Sequence, residues 1–176
     1  MARVIPGRFT ASVGGPFVVF IIGMRINNIF AIRKWLPTAF AMSPPLKALF
    51  SHSEKGVLGG ETFVNWRGTG LVTYWRSFED LERFARNPDD PHLEPRRQFN
   101  KNIGTDGSAG IWHETYMVQA GQHECIYNNM PDFGLAKATQ HVPAVGKRET
   151  ARRRLGGEDQ PAVPSPPAVH SHNNKE

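Results

Sequence analysis

Residues Phe17-Val18-Val19-Phe20-Ile21-Ile22 form an apolar run without alternation: odd and even positions alike carry β-branched or aromatic side chains, and Gly23 closes the run. A run this rich in β-branched and aromatic residues, closed by Gly23, reads as the first strand. Neighbouring side chains on a strand point to opposite faces, so this strand predicts a sheet that is covered on both sides. Two covering layers are therefore needed.

The segments that follow name most of the other elements. Ile29, Ile32, Leu36, Ala39 and Phe40 fall at helical spacing and predict a helix near 28–42, with Asn27-Asn28 as its N-cap and Pro37 kinking or unwinding it. Ser43-Pro44-Pro45 restarts the chain as a short helix that ends near Ser51. Gly56 to Trp66 is a second strand, with Gly59-Gly60 marking a bulge or a close backbone approach. Arg67-Gly68-Thr69-Gly70 is a hairpin connection into a third strand, Leu71 to Arg76. Ser77-Phe78-Glu79-Asp80 then reads as a capping box that opens a helix with Phe78, Leu81, Phe84 and Ala85 on its buried stripe. A further helical stretch runs from about His92 to Ile103, and Ala109 to Val118 is a fourth strand. Residues 1–15 read as a polar arm.

The order β-α-β-β-α-β predicts an α+β, ferredoxin-like domain: a four-stranded antiparallel sheet with helices on one face. Strands one and four are apolar on both faces, so the face away from the helices also needs cover. An identical sheet from a second copy would provide it, giving a homodimer. The alternative is that residues 119–141 fold back over that face.

Composition restricts the rest. In 176 residues the last aromatic side chain is Phe133, and beyond Val142 the chain turns to Arg, Gly, Pro and Ser. The expected division is a domain over 1–141 and a disordered tail over 142–176. A net charge of +5 is too modest for a nucleic-acid footprint. The run Phe17 to Met24 falls well short of the ~20 apolar residues of a membrane span. Ala39-Phe40-Ala41 resembles a signal-peptidase site, but Arg33 and Lys34 interrupt the apolar stretch that should precede it. A single cysteine, Cys125, allows no internal disulfide. The expected setting is cytoplasmic, with neither nucleic acid nor membrane as partner. No phosphate loop, HExxH, CxxC or nucleophile elbow occurs, which disfavours kinases, zinc proteases and standard hydrolases.

Phe17–Arg25 (FVVFIIGMR), Tyr74-Trp75-Arg76-Ser77-Phe78-Glu79-Asp80-Leu81 and Gly110-Ile111-Trp112-His113-Glu114-Thr115-Tyr116 resemble a bacterial and fungal monooxygenase-like family. That family is grouped with the fumagillin-pathway monooxygenase, among the dimeric α+β barrels of the antibiotic-biosynthesis monooxygenase type. The resemblance spans roughly 5–145. It implies a pocket in each subunit between the helices and the sheet. It also implies one of three roles. Some members oxidise aromatic or polyketide substrates with no tightly bound cofactor, the substrate itself activating oxygen; others bind haem, degrading it or dehydrating aldoximes with it; several have neither activity demonstrated, which leaves a non-catalytic small-ligand-binding dimer open.

His113, in the middle of strand four, is the candidate catalytic base for a phenolic or enolisable substrate of secondary metabolism. Glu114 cannot assist it, because successive strand residues face opposite ways. A buried histidine serving only structure is the alternative. Trp75 and Tyr74 are candidate pocket walls, one of which must face the pocket by alternation, with Tyr116 near His113. Arg76 and Arg25, at strand ends, could counter an enolate or carboxylate, although an ion pair with Glu79 or Asp80 also explains Arg76. His92 matches the interval at which the haem-binding relatives place their iron ligand, although Pro88, Pro91 and Pro95 crowd that region. Cys125 lacks a partner at a telling spacing, and His170 and His172 form an isolated pair in the tail.

Overall fold

The computed structural model describes residues 2–41, 53–87 and 93–157. The apolar run becomes part of the central strand β2 (Phe17–Ile26). It is hydrogen-bonded to β4 (Gly68–Trp75) on one side and to β5 (Ala109–Val118) on the other. β3 (Val57–Asn65) pairs with the far side of β4, giving an antiparallel sheet of order β3-β4-β2-β5. Helix α1 (Ile32–Ala41) lies between β2 and β3 in the chain. Helices α2 (Phe78–Arg86) and α3 (Leu93–Asn102) lie between β4 and β5. Counted from β2, this is the ferredoxin-like order the sequence predicts. The helix expected over 43–51 lies outside the described residues.

Register assigns each side chain to a face. Even-numbered β2 residues meet the helices: Val18 packs with Val57, Trp75 and Leu81, and Met24 with Phe99, Ile103 and Ala109. Odd-numbered β2 residues point the other way. There Phe17 and Val19 pack with Tyr74 and Val118 against a layer from the same chain.

That layer is a second sheet, and it corrects the reading of residues 1–15 as an arm. Ile5–Ser12 is strand β1, flanked by β6 (Tyr127–Met130) and β7 (Gln140–Pro143) in the order β6-β1-β7. Pro6 and Gly7 disguise the strand: Gly7 sits at φ 104°, and the pairing register shifts between Ile5 and Arg8. The short helix α4 (Gly134–Ala138) joins β6 to β7 and packs Leu135 and Ala136 into the same cluster as Ala11 and Phe17.

The folded body also continues past residue 141. Val142 pairs with Thr10 on β1, and Ala144 N donates to the Arg8 carbonyl at 3.0 Å. A short helix α5 (Ala151–Arg154) follows, capped by Thr150 and tied back by an ion pair between Arg154 and Glu124. The Arg-rich composition that suggested a tail here supplies the anchors instead. Residues 158–176, with His170 and His172, lie outside the described residues.

Local signals behave as their chemistry requires. Ser77 Oγ accepts the Asp80 N–H at 3.2 Å, capping α2. The Asp80 carboxylate does not return to the cap; it receives Arg76 Nε and Arg83 Nη1, each at 2.8 Å. Gly59 is both a bulge and a close approach, since a Cβ there would lie 2.9 Å from Ala138 Cβ. Gly68 and Gly70, expected in the hairpin turn, are strand residues instead. A Cβ on Gly68 would meet the Met24 carbonyl, and one on Gly70 the ring of Phe63. The connection itself is Trp66-Arg67. Helix α1 starts at Ile32, not near 28, because the Asn28 side chain closes a turn by accepting the Phe30 N–H at 3.0 Å.

Candidate active site

His113 stands opposite Ile22 on β5, on the helix-covered face of the sheet, and its ring centroid lies 5.8 Å from that of Phe20. It is exposed, because β5 is an edge strand. Glu114 stands opposite Ile21 and points to the other face, as alternation requires. Its carboxylate accepts the Tyr116 hydroxyl at 2.5 Å, and this bond keeps the Tyr116 phenol protonated to higher pH than usual.

The other sequence-predicted residues separate across the sheet. Trp75 shares the helix-covered face with His113, but at 1% exposure it is core. Its indole N–H donates to Thr73 Oγ1 at 2.8 Å, and that hydroxyl donates onward to the Phe20 carbonyl at 3.1 Å. It therefore offers a ligand neither surface nor a free donor. Arg76 is committed to Asp80, the ion pair its sequence position allowed. Tyr74, Arg25 and Tyr116 all lie on the opposite face. His92 lies outside the described residues.

A haem site would require a ligand histidine with room for a flat macrocycle beside it. Two cavities lie elsewhere: a groove of about 500 Å³ between Ala2–Pro6 and Pro131, Asp132 and Lys137, and a pocket of about 160 Å³ bounded by Lys55, Arg83 and Phe84. His113 lies on an open edge with its ring tilted against Phe20, and it lines neither cavity. Among the described residues no three His, Cys, Asp or Glu side chains converge as a metal site.

Between the two sheets lies a polar cluster that the sequence did not reveal. Cys125 Sγ accepts the Ala11 N–H at 3.4 Å and lies 3.6 Å from Thr10 Oγ1. Burial, then the neighbouring Cys125, raises the pKa of both Tyr127 and Tyr74. His141 Nδ1 is 2.8 Å from Asp132 Oδ1, while its buried Nε2 has no hydrogen-bond partner. His123 packs edge-on against Phe17, with ring centroids 5.3 Å apart, and burial lowers its pKa. These groups are brought together by β1, whose pairing no local pattern announces. The cysteine, tyrosine and histidine side chains are half-buried, and Asp132 also lines the groove of about 500 Å³.

Strand order and helix placement define a ferredoxin-like α+β protein. The chain belongs to the monooxygenase af470-like family, whose model matches residues 17–135, from the first residue of β2 into α4. It is 30% identical over 154 residues to Monooxygenase af470 of Aspergillus fumigatus. That match covers 73% of this chain and 53% of the relative, so the chain spans about half the length of the curated protein. Among solved structures, it is similar to a dimeric protein of unknown function and ferredoxin-like fold from Bacteroides fragilis, at 12% identity and TM-score 0.44, covering 57% of this chain and 95% of that one. It is also similar to Rv0793 of Mycobacterium tuberculosis, at 17% identity and TM-score 0.39, covering 57% and 92%.

Proposed function

We propose that the chain is a monooxygenase acting, without a tightly bound cofactor, on a small hydrophobic substrate of phenolic, enolisable or polyketide and terpenoid type in secondary metabolism. The observation that carries this reading is His113 on the helix-covered face beside Phe20, in a chain of a monooxygenase-like family. An aromatic ring next to an imidazole suits a flat apolar substrate presenting one acidic O–H or C–H. His113 takes that proton, and the electron-rich anion reacts with oxygen. A methylene becomes a carbonyl, and the second oxygen atom leaves as water. The substrate supplies all the electrons, so no external reductant enters.

The working unit in this proposal is a homodimer. Helix α4 and β1 cover only the Phe17, Val19 and Tyr74 end of the face opposite the helices. At the other end Trp112 lies across Gly23 at 36% exposure, with Phe63 seated over Gly70 in the same row of the sheet. Aromatic side chains lying flat over strand glycines make a smooth surface, and a second copy related by a two-fold axis would bury it against its own image.

The test is oxygen uptake by the purified protein across a panel of phenols and enolisable polyketides. His113→Ala should lower turnover on an accepted substrate by about 10²–10⁴-fold. An unchanged rate in a folded His113→Ala protein would remove the base from the scheme.

A further inference from the structure

One end of the four-stranded sheet carries apolar side chains that no part of the described structure covers. The β3–β4 turn presents Trp66 at 83% exposure, and Val64 just before it is 81% exposed. The turn leading into α1 presents Phe30 at 87%, flanked by Ile29 and Ile32, each about half exposed. The two turns are joined at their bases: Ile26 N donates to the Arg67 carbonyl at 2.7 Å, and Arg25 pairs with Gly68. Large apolar groups at this level of exposure on adjoining turns are a costly arrangement for a surface that meets only water.

The charges at this end are basic. Arg67 lies over the Trp66 ring, its guanidinium carbon 4.6 Å from the ring centroid. Arg25 and Arg33 are exposed, and among the described residues neither they nor Arg67 has a carboxylate partner. Arg67 Nε is buried without any hydrogen-bond acceptor. The acidic side chain recorded here, Asp106, is bound by Lys34, whose hydrogen bond holds its carboxyl well below the usual range.

We propose that this end of the sheet is an interfacial docking surface for an anionic lipid bilayer. Phe30 and Trp66 would enter the headgroup boundary, and Arg25, Arg33 and Arg67 would meet the phosphates. The apolar groups stand on convex turns and do not line a groove, which suits insertion between lipid headgroups more than the flat burial of a protein interface. The Trp–Arg stack places an aromatic ring and a guanidinium side by side at the level where tryptophan and basic residues concentrate in membranes. No helix among the described residues is long and apolar enough to cross a membrane, so the chain would lie on the surface. That contact would bring it to where small apolar substrates gather.

Co-sedimentation of the full chain with vesicles tests this, comparing phosphatidylcholine alone with an equal mixture of phosphatidylcholine and phosphatidylserine. The wild-type protein should pellet with the anionic vesicles, and added salt should weaken the binding. Phe30→Ser with Trp66→Ser should cut anionic binding by about tenfold or more. Arg33→Gln with Arg67→Gln should cut it roughly fivefold per arginine and leave neutral vesicles unaffected. In the unmutated background, brominated lipid should quench a fraction of the tryptophan emission that Trp66→Phe removes, a readout that survives if the double variants fold poorly. Absence of anionic binding, equal binding by a folded Phe30→Ser/Trp66→Ser protein, or quenching unchanged by Trp66→Phe would each overturn the proposal. So would a loss of self-association in that variant with vesicle binding intact, which would assign the patch to a protein contact.

Discussion

Replacing Trp75 separates a core residue from a substrate wall. The side chain is 1% exposed and packs with Val18, Val57, Leu81 and Phe84, the last with ring centroids 5.3 Å apart. Trp75→Ala removes a whole indole from this cluster, and losses of this kind cost about 3–5 kcal/mol. For a chain of this size each kcal/mol lowers Tm by roughly 2–4 °C, so the midpoint should fall by roughly 10 °C. Trp75→Phe retains most of the ring but removes the N–H held by Thr73, at a cost of about 1–2 kcal/mol. Thr73 keeps its own bond to the Phe20 carbonyl, so the smaller change should remain local. Calorimetry or urea unfolding would measure both variants, alongside KM on any accepted substrate for the folded Trp75→Phe protein. The reasoning fails if Trp75→Ala leaves Tm unchanged while KM rises, because that pattern belongs to a pocket wall.

The remaining expectations concern charge and phenol groups. The hydrogen bond from Arg76, reinforced by Arg83, holds the Asp80 carboxyl below its usual range. A depressed folded-state pKa stabilises the fold above the unfolded value of about 3.9, and the contribution is lost as pH falls through the folded pKa. Asp80→Asn should therefore cost roughly 1–3 kcal/mol at neutral pH, with the deficit shrinking in acid; urea titrations at several pH values check it. All three tyrosines have raised pKa values, Tyr74 and Tyr127 mainly through burial and Tyr116 through Glu114. Phenolate absorbance of the native protein should thus appear above the unfolded midpoint of about 10. The stabilisation tied to those protons is complete below that midpoint and is lost as pH rises through the folded values. A native titration curve that overlays the denatured one would refute the buried placement of Tyr74 and Tyr127.

What the sequence revealed and what it concealed follow from how local each cause is. β5 and the Ser77 cap each carry their signal within about ten residues, so their bounds are legible, whereas β2 is legible at its start but continues through Gly23 to Ile26. β1 could not, because its partners β6 and β7 lie beyond residue 126 and its own text, Ile-Pro-Gly-Arg-Phe, imitates a loop. Gly68 and Gly70 imitate a turn because a sequence shows that glycine is present but not that Met24 or Phe63 occupies the space of a Cβ. Alternation placed Tyr74 and Trp75 on opposite faces without saying which face the helices take. The same rule correctly separated His113 from Glu114. The His141–Asp132 pair and the Cys125 cluster depend on the second sheet, so they became visible only in three dimensions.

The uncovered Trp112 end of the sheet is the point on which the two-fold arrangement rests, and the mass of the particle in solution tests it most directly. Sedimentation equilibrium at micromolar concentration should return twice the mass of one chain, reduced towards a single chain by Trp112→Glu. A particle of one chain across that concentration range would show that the face needs no second copy, and the proposed working unit would fall with it.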